Sequence, residues 1–252
     1  MRIKSGVKLL FFLLFPSLSF GIQNEPSIFE KHQFIRGKDS LPYRLLQPKN
    51  PKAGKTYPLV IFLHGSGERG SDNEKQLANG VFLFADSLEK YPAYVIVPQC
   101  PAGRRWVEAD WTLPFPVQPE QISISLSLVI QLTDSLMNSL PIDSKRIYLT
   151  GLSMGGKGSL DLAYRYPDKF AAVVAVCGSA DVKIARIIKD IPLWAFHGDQ
   201  DPVVPFAADD RLIAALQASG GKPKFTVLRG VGHNAWDYAY KDPEVLRWMF
   251  SH

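Results

Sequence analysis

A serine, an aspartate and a histidine occur in a context and a chain order that suit acyl transfer. Ser153 lies in GLSMG, residues 151–155, which fits the pattern G-x-S-x-G, and Asp201 and His233 follow it. A serine hydroxyl is hardly ionised at neutral pH, so it needs a base that removes its proton during attack. His233 can take that proton and return it to the leaving group, while Asp201 can orient the imidazole and stabilise its cationic form. The three residues therefore predict a nucleophile, a general base and an orienting acid.

The sequence around Ser153 predicts a sharp turn between a strand and a helix. Residues 146–150 are a β-branched and aromatic run typical of a buried strand, and residues 157–166 carry apolar side chains at helical spacing. A helix that crosses so close to the strand leaves no room for Cβ atoms at Gly151 and Gly155. We therefore expect strained backbone geometry at Ser153, with its hydroxyl exposed above the edge of a sheet.

Predicted strands alternate with predicted helices along the chain. Two alternating runs joined by a turn cluster, residues 28–35 and 41–47, predict an N-terminal antiparallel hairpin. The further predicted strands are residues 57–63, 94–98, 146–150, 171–177, 192–197 and 224–228. The predicted helices are residues 73–88, 123–140, 157–166, 207–219 and 242–251, with Gly80 weakening the first. This alternation predicts an α/β fold, in which a doubly wound, mostly parallel sheet is flanked by helices and preceded by the hairpin.

Catalytic groups in such sheets collect at the carboxyl ends of the strands, and the candidate residues all follow predicted strands. A tetrahedral oxyanion also needs two preorganised N–H donors. The backbone of Met154, just after the nucleophile, is one candidate. Ser66, in the loop after the third strand, is the other.

Several polar residues near these positions have competing interpretations. Asp199 is a rival to Asp201 as the acid, although Asp201 is favoured, and Asp181 is a weaker rival. His64 is predicted to be a structural hydrogen-bonding residue beside the oxyanion loop. His197, which precedes a turn, is predicted to be structural as well.

Three tryptophans are candidates for substrate binding. Trp106 and Trp111 lie in the long irregular segment 100–119, which is typical of a lid or a binding loop, and Trp236 lies three residues beyond His233. Indole faces suit stacking on sugar rings or phenolic acyl groups. Trp106 and Trp111 could equally be loop anchors that pack inward.

The first 21 residues have the pattern of a signal peptide: basic residues, an apolar stretch too short to span a membrane, then small residues. An uncleaved membrane anchor is the alternative. Without the three basic residues of this segment, 26 basic and 24 acidic residues leave a net charge of about +2 instead of +5. The charge therefore gives no reason to expect a nucleic-acid partner. We expect a secreted or periplasmic protein whose residues 22–252 form one catalytic domain, without stable membrane insertion after signal removal.

The cysteines and histidines predict neither a disulfide framework nor a metal site. Cys100 and Cys177 are too few for such a framework, and we expect two separate buried thiols. The five histidines are scattered, without His-x-x-x-His or Cys-x-x-Cys spacing. We expect no metal and no other cofactor.

Five motifs together carry a resemblance to a known family. They are HGSGERG at residues 64–70, PQCP at 98–101 with Trp106 after it, GLSMGG at 151–156, HGDQDPVVP at 197–205 and GVGHNAW at 230–236. With these motifs the chain resembles, from about residue 57 to its C-terminus, the carboxylesterase/phospholipase and dienelactone-hydrolase branch of the α/β-hydrolase superfamily. It is also similar to secreted feruloyl and acetylxylan esterases. The resemblance implies the Ser-Asp-His triad order, the acid role for Asp201 and an oxyanion donor at Ser66.

The sequence thus predicts a serine hydrolase that cleaves carboxylic esters through an acyl-enzyme. Its expected partner is a small-molecule or carbohydrate-linked ester substrate with a short acyl or aromatic group. A serine peptidase of the prolyl-oligopeptidase superfamily uses the same triad and is one alternative; a lipase-like or thioesterase activity is another. Ser66 departs from the His-Gly-Gly-Gly form of lipases, which disfavours a lipase. A non-catalytic binding module usually lacks a triad member, whereas this chain has all three.

Overall fold

A computed structural model describes residues 28–110, 113 and 115–252 of the chain. The predicted signal segment and Trp111 lie outside the described residues. The strands are β1 (Glu30–Arg36), β2 (Asp39–Leu46), β3 (Tyr57–Leu63), β4 (Tyr94–Pro98), β5 (Ile142–Leu152), β6 (Ala172–Val176), β7 (Leu193–Gly198) and β8 (Lys224–Leu228). The helices are α1 (Phe82–Asp86), α2 (Ile124–Ser139), α3 (Met154–Arg165), α4 (Ala185–Ile188), α5 (Phe206–Ala218), α6 (Trp236–Ala239) and α7 (Pro243–Met249). Short 3-10 helices occupy Ser66–Glu68, Lys75–Leu77 and Val182–Ile184.

The eight strands form one mostly parallel sheet in the order β1-β2-β4-β3-β5-β6-β7-β8. β1 and β2 form the antiparallel hairpin, β2 is antiparallel to β4, and every pair from β4 to β8 is parallel. The predicted fold class, including the N-terminal hairpin, is confirmed. Because β3 to β8 run in one direction, the loops that carry the candidate residues all leave the same edge of the sheet.

Both faces of the sheet are covered by helices, which explains the continuous apolar runs in its strands. In β3, Leu59 and Ile61 pack into a core with α2, α3 and α5. The alternate residues Val60 and Phe62 pack into a second core, with α1, α6 and α7 on the opposite face. Successive side chains of a strand point to opposite faces, so a strand buried on both sides must be apolar throughout.

The predicted long helix at residues 73–88 is wrong: the structure has only the 3-10 turn Lys75–Leu77 and the short helix α1 in this region. Gly80 separates the two with φ at +76°, a left-handed conformation that ends a right-handed helix. A Cβ atom at Gly80 would overlap the ring of Tyr240, which packs on this turn. The interruption therefore follows from a tertiary contact with a residue 160 positions away.

No helix within the described ranges has both the length and the apolar character needed to cross a membrane.

Candidate active site

The turn between β5 and α3 presents Ser153 in strained geometry. Its φ and ψ are +53° and −118°, a region that non-glycine residues rarely adopt. Its N–H donates to the carbonyl of Val176 at the end of β6, at 2.8 Å. A Cβ atom on Gly151 would lie 2.5 Å from the carbonyl oxygen of Gly155, and one on Gly155 would overlap the carbonyl of Leu63. The predicted steric role of these two glycines is confirmed.

Ser153, His233 and Asp201 form a continuous hydrogen-bonded relay. The Ser153 hydroxyl lies 2.9 Å from Nε2 of His233, and Nδ1 of His233 lies 2.7 Å from Oδ2 of Asp201. The partners set the tautomer: Nδ1–H donates to the carboxylate, which leaves the lone pair of Nε2 to accept the serine proton. The imidazole is 19% exposed, whereas the Asp201 side chain has no exposed surface. The structure therefore brings together three residues far apart in sequence, in an arrangement that suits nucleophilic attack.

Asp201 is held by three hydrogen bonds and one ion-pair contact. Oδ1 accepts from the backbone N–H groups of Val203 and Val204, at 2.8 and 3.0 Å. Oδ2 accepts from His233 and also faces Nε2 of His197 at 3.2 Å. Burial opposes ionisation of this carboxyl, but the two imidazoles and the two N–H groups outweigh burial and hold its pKa well below its usual value. Asp201 is therefore an ionised acceptor with a fixed orientation.

The two rival aspartates bind elsewhere. Asp199 accepts from the N–H of Gly230 at 2.7 Å and pairs with Arg229 at 3.2 Å, so it fastens the loop that leads to His233. Asp181 caps the 3-10 helix Val182–Ile184 and accepts from the N–H of Gln118 at 3.1 Å.

The loop after β3 packs directly on the turn that carries Ser153. A Cβ atom on Gly65 would lie 3.7 Å from the Cβ of Ser153, an ordinary contact, and 2.9 Å from Cδ1 of Leu152, so a larger residue at position 65 would require the Leu152 side chain to shift. The next residue, Ser66, begins a 3-10 helix, and Met154 begins α3. In the described part of the chain, neither the Ser66 nor the Met154 amide N–H has a hydrogen-bond partner. Free N–H groups at helix starts are suited to binding an anion.

His64 supports this loop as a neutral imidazole. Its Nε2 accepts from the N–H of Cys100 at 2.9 Å, so the proton is on Nδ1, which donates to the carbonyl of Gly65 at 2.6 Å. Burial lowers the pKa of His64 to about 4, so it remains uncharged at neutral pH. These contacts agree with the predicted structural role.

The three tryptophans have different positions. Trp106 is completely buried; its indole N–H donates to the carbonyl of His64 at 3.0 Å, and its ring packs edge-on against that imidazole. The predicted substrate contact of Trp106 is therefore corrected to a loop anchor, because no face of its ring is open to a ligand. Trp111 lies outside the described residues. Trp236 is half-buried and packs edge-to-face on His233, with ring centroids 5.3 Å apart, so it borders the site.

A buried polar network behind Asp201 is the feature that the sequence did not predict. His197 bridges Asp201 and Asp209, and Asp209 also accepts from the N–H of Ser179 at 2.9 Å. Ser179 in turn accepts from the buried ammonium of Lys157 at 3.1 Å. The sequence offered no signal for this network beyond the position of His197 at the end of a predicted strand.

Cys100 and Cys177 are both free and buried, as predicted. Potential metal-ligand atoms of Cys177, Asp201 and His233 lie within 4.8 Å of one another. Asp201 and His233 are already committed to the relay with Ser153. The arrangement therefore fits proton transfer within the protein better than metal binding.

Comparison with known proteins identifies the family. The family model described as phospholipase/carboxylesterase matches residues 49–242, more than three quarters of the chain. The chain belongs to this family. Membership in the phospholipase/carboxylesterase family agrees with the fold and with the position of the relay at the carboxyl edge of the sheet.

Individual proteins of known sequence or structure are also similar. The putative esterase NocK of Nocardia uniformis subsp. tsuyamanensis is 29% identical over 72% of this chain and 51% of its own length. Acyl-protein thioesterase 1 of Neurospora crassa is 30% identical over 73% of this chain and 83% of its own. The solved structure of a thermostable esterase is 35% identical with a TM-score of 0.84, over 90% of this chain and 63% of that one. The chain thus spans about half the length of NocK and less than two thirds of the thermostable esterase.

Proposed function

We propose that the chain is a serine hydrolase that cleaves carboxylic esters through an acyl-enzyme. The observation that carries this proposal is the unbroken relay from Ser153 through His233 to Asp201, with distances of 2.9 and 2.7 Å. Its setting at the start of α3 and membership in a carboxylesterase family support the same reaction class. A non-catalytic role would not require a strained serine aligned with an oriented imidazole.

The geometry suggests how the residues divide the work. His233 removes the proton from the Ser153 hydroxyl as the oxygen attacks the ester carbonyl, and Asp201 stabilises the imidazolium that forms. The backbone N–H groups of Ser66 and Met154 donate to the tetrahedral oxyanion. His233 then donates its proton to the departing alcohol, which leaves an acyl group on Ser153. Water, deprotonated by the same imidazole, releases the acid in the second half of the cycle.

The oxyanion role can be tested by removing one N–H donor. Ser66 is the first residue of its 3-10 helix, a position that tolerates proline, and Gly65 before it is extended, with φ at −76° and ψ at −178°, as a residue before proline should be. We expect Ser66→Pro to lower kcat by about 10²- to 10³-fold, because one donor to the oxyanion is lost. Ser66→Ala keeps the N–H and should lose far less. Steady-state kinetics with an activated acetyl ester would distinguish the two variants, and equal losses would exclude a backbone donor at residue 66.

For the substrate, we propose short acyl or aromatic esters, including esters attached to carbohydrate. Trp236 supports this choice, because its ring borders His233 and can contact a flat acyl or sugar group. We expect kcat/KM to be higher for acetyl and feruloyl esters than for a palmitoyl ester. Trp236→Ala should reduce feruloyl turnover about fivefold more than acetyl turnover. Tyr238→Ala, which removes an exposed aromatic ring on the same short helix α6, is the matched control. A preference for palmitate, or equal effects of Trp236→Ala on both esters, would contradict this proposal.

A thioesterase is the second candidate, and its support is the similarity to acyl-protein thioesterase 1 of Neurospora crassa. An oxygen ester, a thioester and a peptide amide that share one acyl group would separate the alternatives. Our proposal predicts the highest kcat/KM for the oxygen ester. A higher value for the thioester would favour the second candidate, and a higher value for the amide would favour a peptidase.

A further inference from the structure

We propose that His197 is a positioning residue for the triad: as a protonated imidazole between Asp201 and Asp209, it fixes the Asp201 carboxylate and balances its charge. This inference rests on the proposed roles of Ser153, His233 and Asp201. It extends the relay by two residues, from Asp201 through His197 to the first turn of α5.

The hydrogen-bond partners of His197 require protons on both ring nitrogens. Nε2 lies 3.2 Å from Oδ2 of Asp201 and 3.1 Å from the carbonyl oxygen of Val204, which can only accept. Nδ1 lies 2.7 Å from Oδ2 of Asp209. A neutral imidazole would direct one lone pair at an acceptor, whereas the imidazolium donates from Nδ1 to Asp209 and directs its Nε2–H at the Val204 carbonyl, with the Asp201 carboxylate in ion-pair contact beside it. The imidazole has no exposed surface, so water cannot replace any of these partners.

Charges from several elements face this buried histidine. Asp201 comes from the loop after β7 and Asp209 from α5, and both carboxylates contact the ring. Lys157 of α3 lies on the far side of Asp209, linked to it through Ser179. The thiol of Cys177 lies at the end of β6, 3.5 Å from the carbonyl of the triad histidine. Two buried carboxylates are therefore matched by two cationic side chains, as burial of charge requires.

Electrostatics support the protonated form over the working range of an esterase. Burial alone would lower the pKa of His197, but Asp201 and Asp209 outweigh burial and raise it to about 10. Burial lowers the pKa of Lys157 to about 8, against the attraction of Asp209. As pH rises, His197 therefore keeps its positive charge to a higher pH than Lys157 does.

The positive charge has a consequence for the catalytic base. A carboxylate next to His233 favours the protonated imidazole, and a cation on the other side of that carboxylate weakens this effect. The charge on His197 therefore acts on the catalytic base through the carboxylate that the two imidazoles share. Removal of the cation should move the acid limb of the kcat/KM profile to higher pH. A purely structural role for His197 would leave that limb in place.

Two conservative variants separate the functions of the ring. In His197→Gln the side-chain amide can still donate to Asp201, but the charge is lost; in His197→Asn the shorter amide can donate only to Asp209. Both variants should move the acid limb of the kcat/KM profile to higher pH by about one unit. At the plateau we expect kcat to fall about tenfold in His197→Gln and about a hundredfold in His197→Asn, because only the second leaves Asp201 without a side-chain donor on this side.

A charge-balanced double variant is a control for the effect of His197→Gln on stability. His197→Gln leaves two buried carboxylates with one cation, so it is expected to lower the Tm. Adding Asp209→Asn removes one of the negative charges and should restore much of the Tm. The acid limb of the double variant should still lie above that of the wild type, between the wild type and His197→Gln. If the acid limb of the double variant returns to its wild-type pH when the Tm is restored, the role of His197 is structural and the proposal is wrong.

A measurement on the unmodified chain gives an independent result. With ¹⁵N-labelled histidine, NMR should show both nitrogens of His197 protonated from pH 6 to 9, and the signal is assigned by its loss in His197→Gln or in the double variant. An unprotonated nitrogen on His197 at pH 7 would overturn the proposal. Failure of the proposed function looks different: Ser153→Ala would then retain activity, whatever the state of His197.

Discussion

Replacement of Ser153 by alanine is expected to lower kcat for ester hydrolysis by about 10⁴- to 10⁶-fold, because the attacking oxygen is removed while binding and oxyanion donors remain. KM should change little, since the hydroxyl acts on the reacting carbonyl and not in general substrate binding. The measurement is steady-state kinetics on an activated acetyl ester, from which the rate of spontaneous hydrolysis without enzyme is subtracted.

Folding of this variant is the necessary control. Alanine at residue 153 must adopt the same strained φ of +53°. The hydrogen bond from its N–H to the carbonyl of Val176 is retained, and so is the close packing at Gly151 and Gly155. We therefore expect a Tm close to that of the wild type. A well-folded variant that keeps more than about one hundredth of the activity would remove Ser153 from the nucleophile role, since triad nucleophiles account for far larger factors.

The second large effect is expected for Asp201→Asn, with a loss of about 10⁴-fold in kcat. The amide oxygen can still accept from the N–H groups of Val203 and Val204, so the loop conformation should persist. The amide nitrogen then faces two imidazole N–H groups in place of Oδ2. His233 can satisfy this donor only by turning a lone pair toward it, which puts the proton on Nε2 and leaves no base for Ser153.

Asp199→Asn is the matched control for the acid. It makes the same chemical change two residues away, and its amide oxygen can still accept from the N–H of Gly230. We expect kcat within about threefold of the wild type, as for a substitution outside the reacting groups. A larger loss in Asp199→Asn than in Asp201→Asn would transfer the acid role to Asp199.

The parts of the fold that could be predicted are those with local sequence signals. Tyr57–Leu63 and Lys224–Leu228 have the predicted boundaries, because apolar and β-branched runs between turn residues mark buried strands directly. The sequence predicts a helix that begins at Ser123, and in the structure the Ser123 hydroxyl caps α2 by accepting from the N–H of Leu126. The strand–turn–helix around Ser153 was predictable because steric limits on Gly151 and Gly155 act within a few residues.

The features that could not be predicted depend on contacts between distant segments. Gly80 breaks a predicted helix because the ring of Tyr240 packs on it. Trp106 is an anchor because its N–H reaches the carbonyl of His64, 42 residues away in sequence. His197 and Asp209 come together only when α5 folds back on β7. Export, expected from the first 21 residues, stays a prediction.

The most direct test of the account is the site of covalent modification by a fluorophosphonate, a reagent that reacts with activated serines. The wild-type protein is treated with the reagent, its intact mass is measured, and the modified peptide is mapped by tandem mass spectrometry. We predict a single adduct on Ser153, complete loss of ester hydrolysis in parallel with labelling, and no adduct in Ser153→Ala. Two results would contradict the nucleophile role of Ser153. One is an adduct on another serine that accompanies the loss of activity. The other is a Ser153→Ala variant that hydrolyses esters and loses that activity when treated with the reagent.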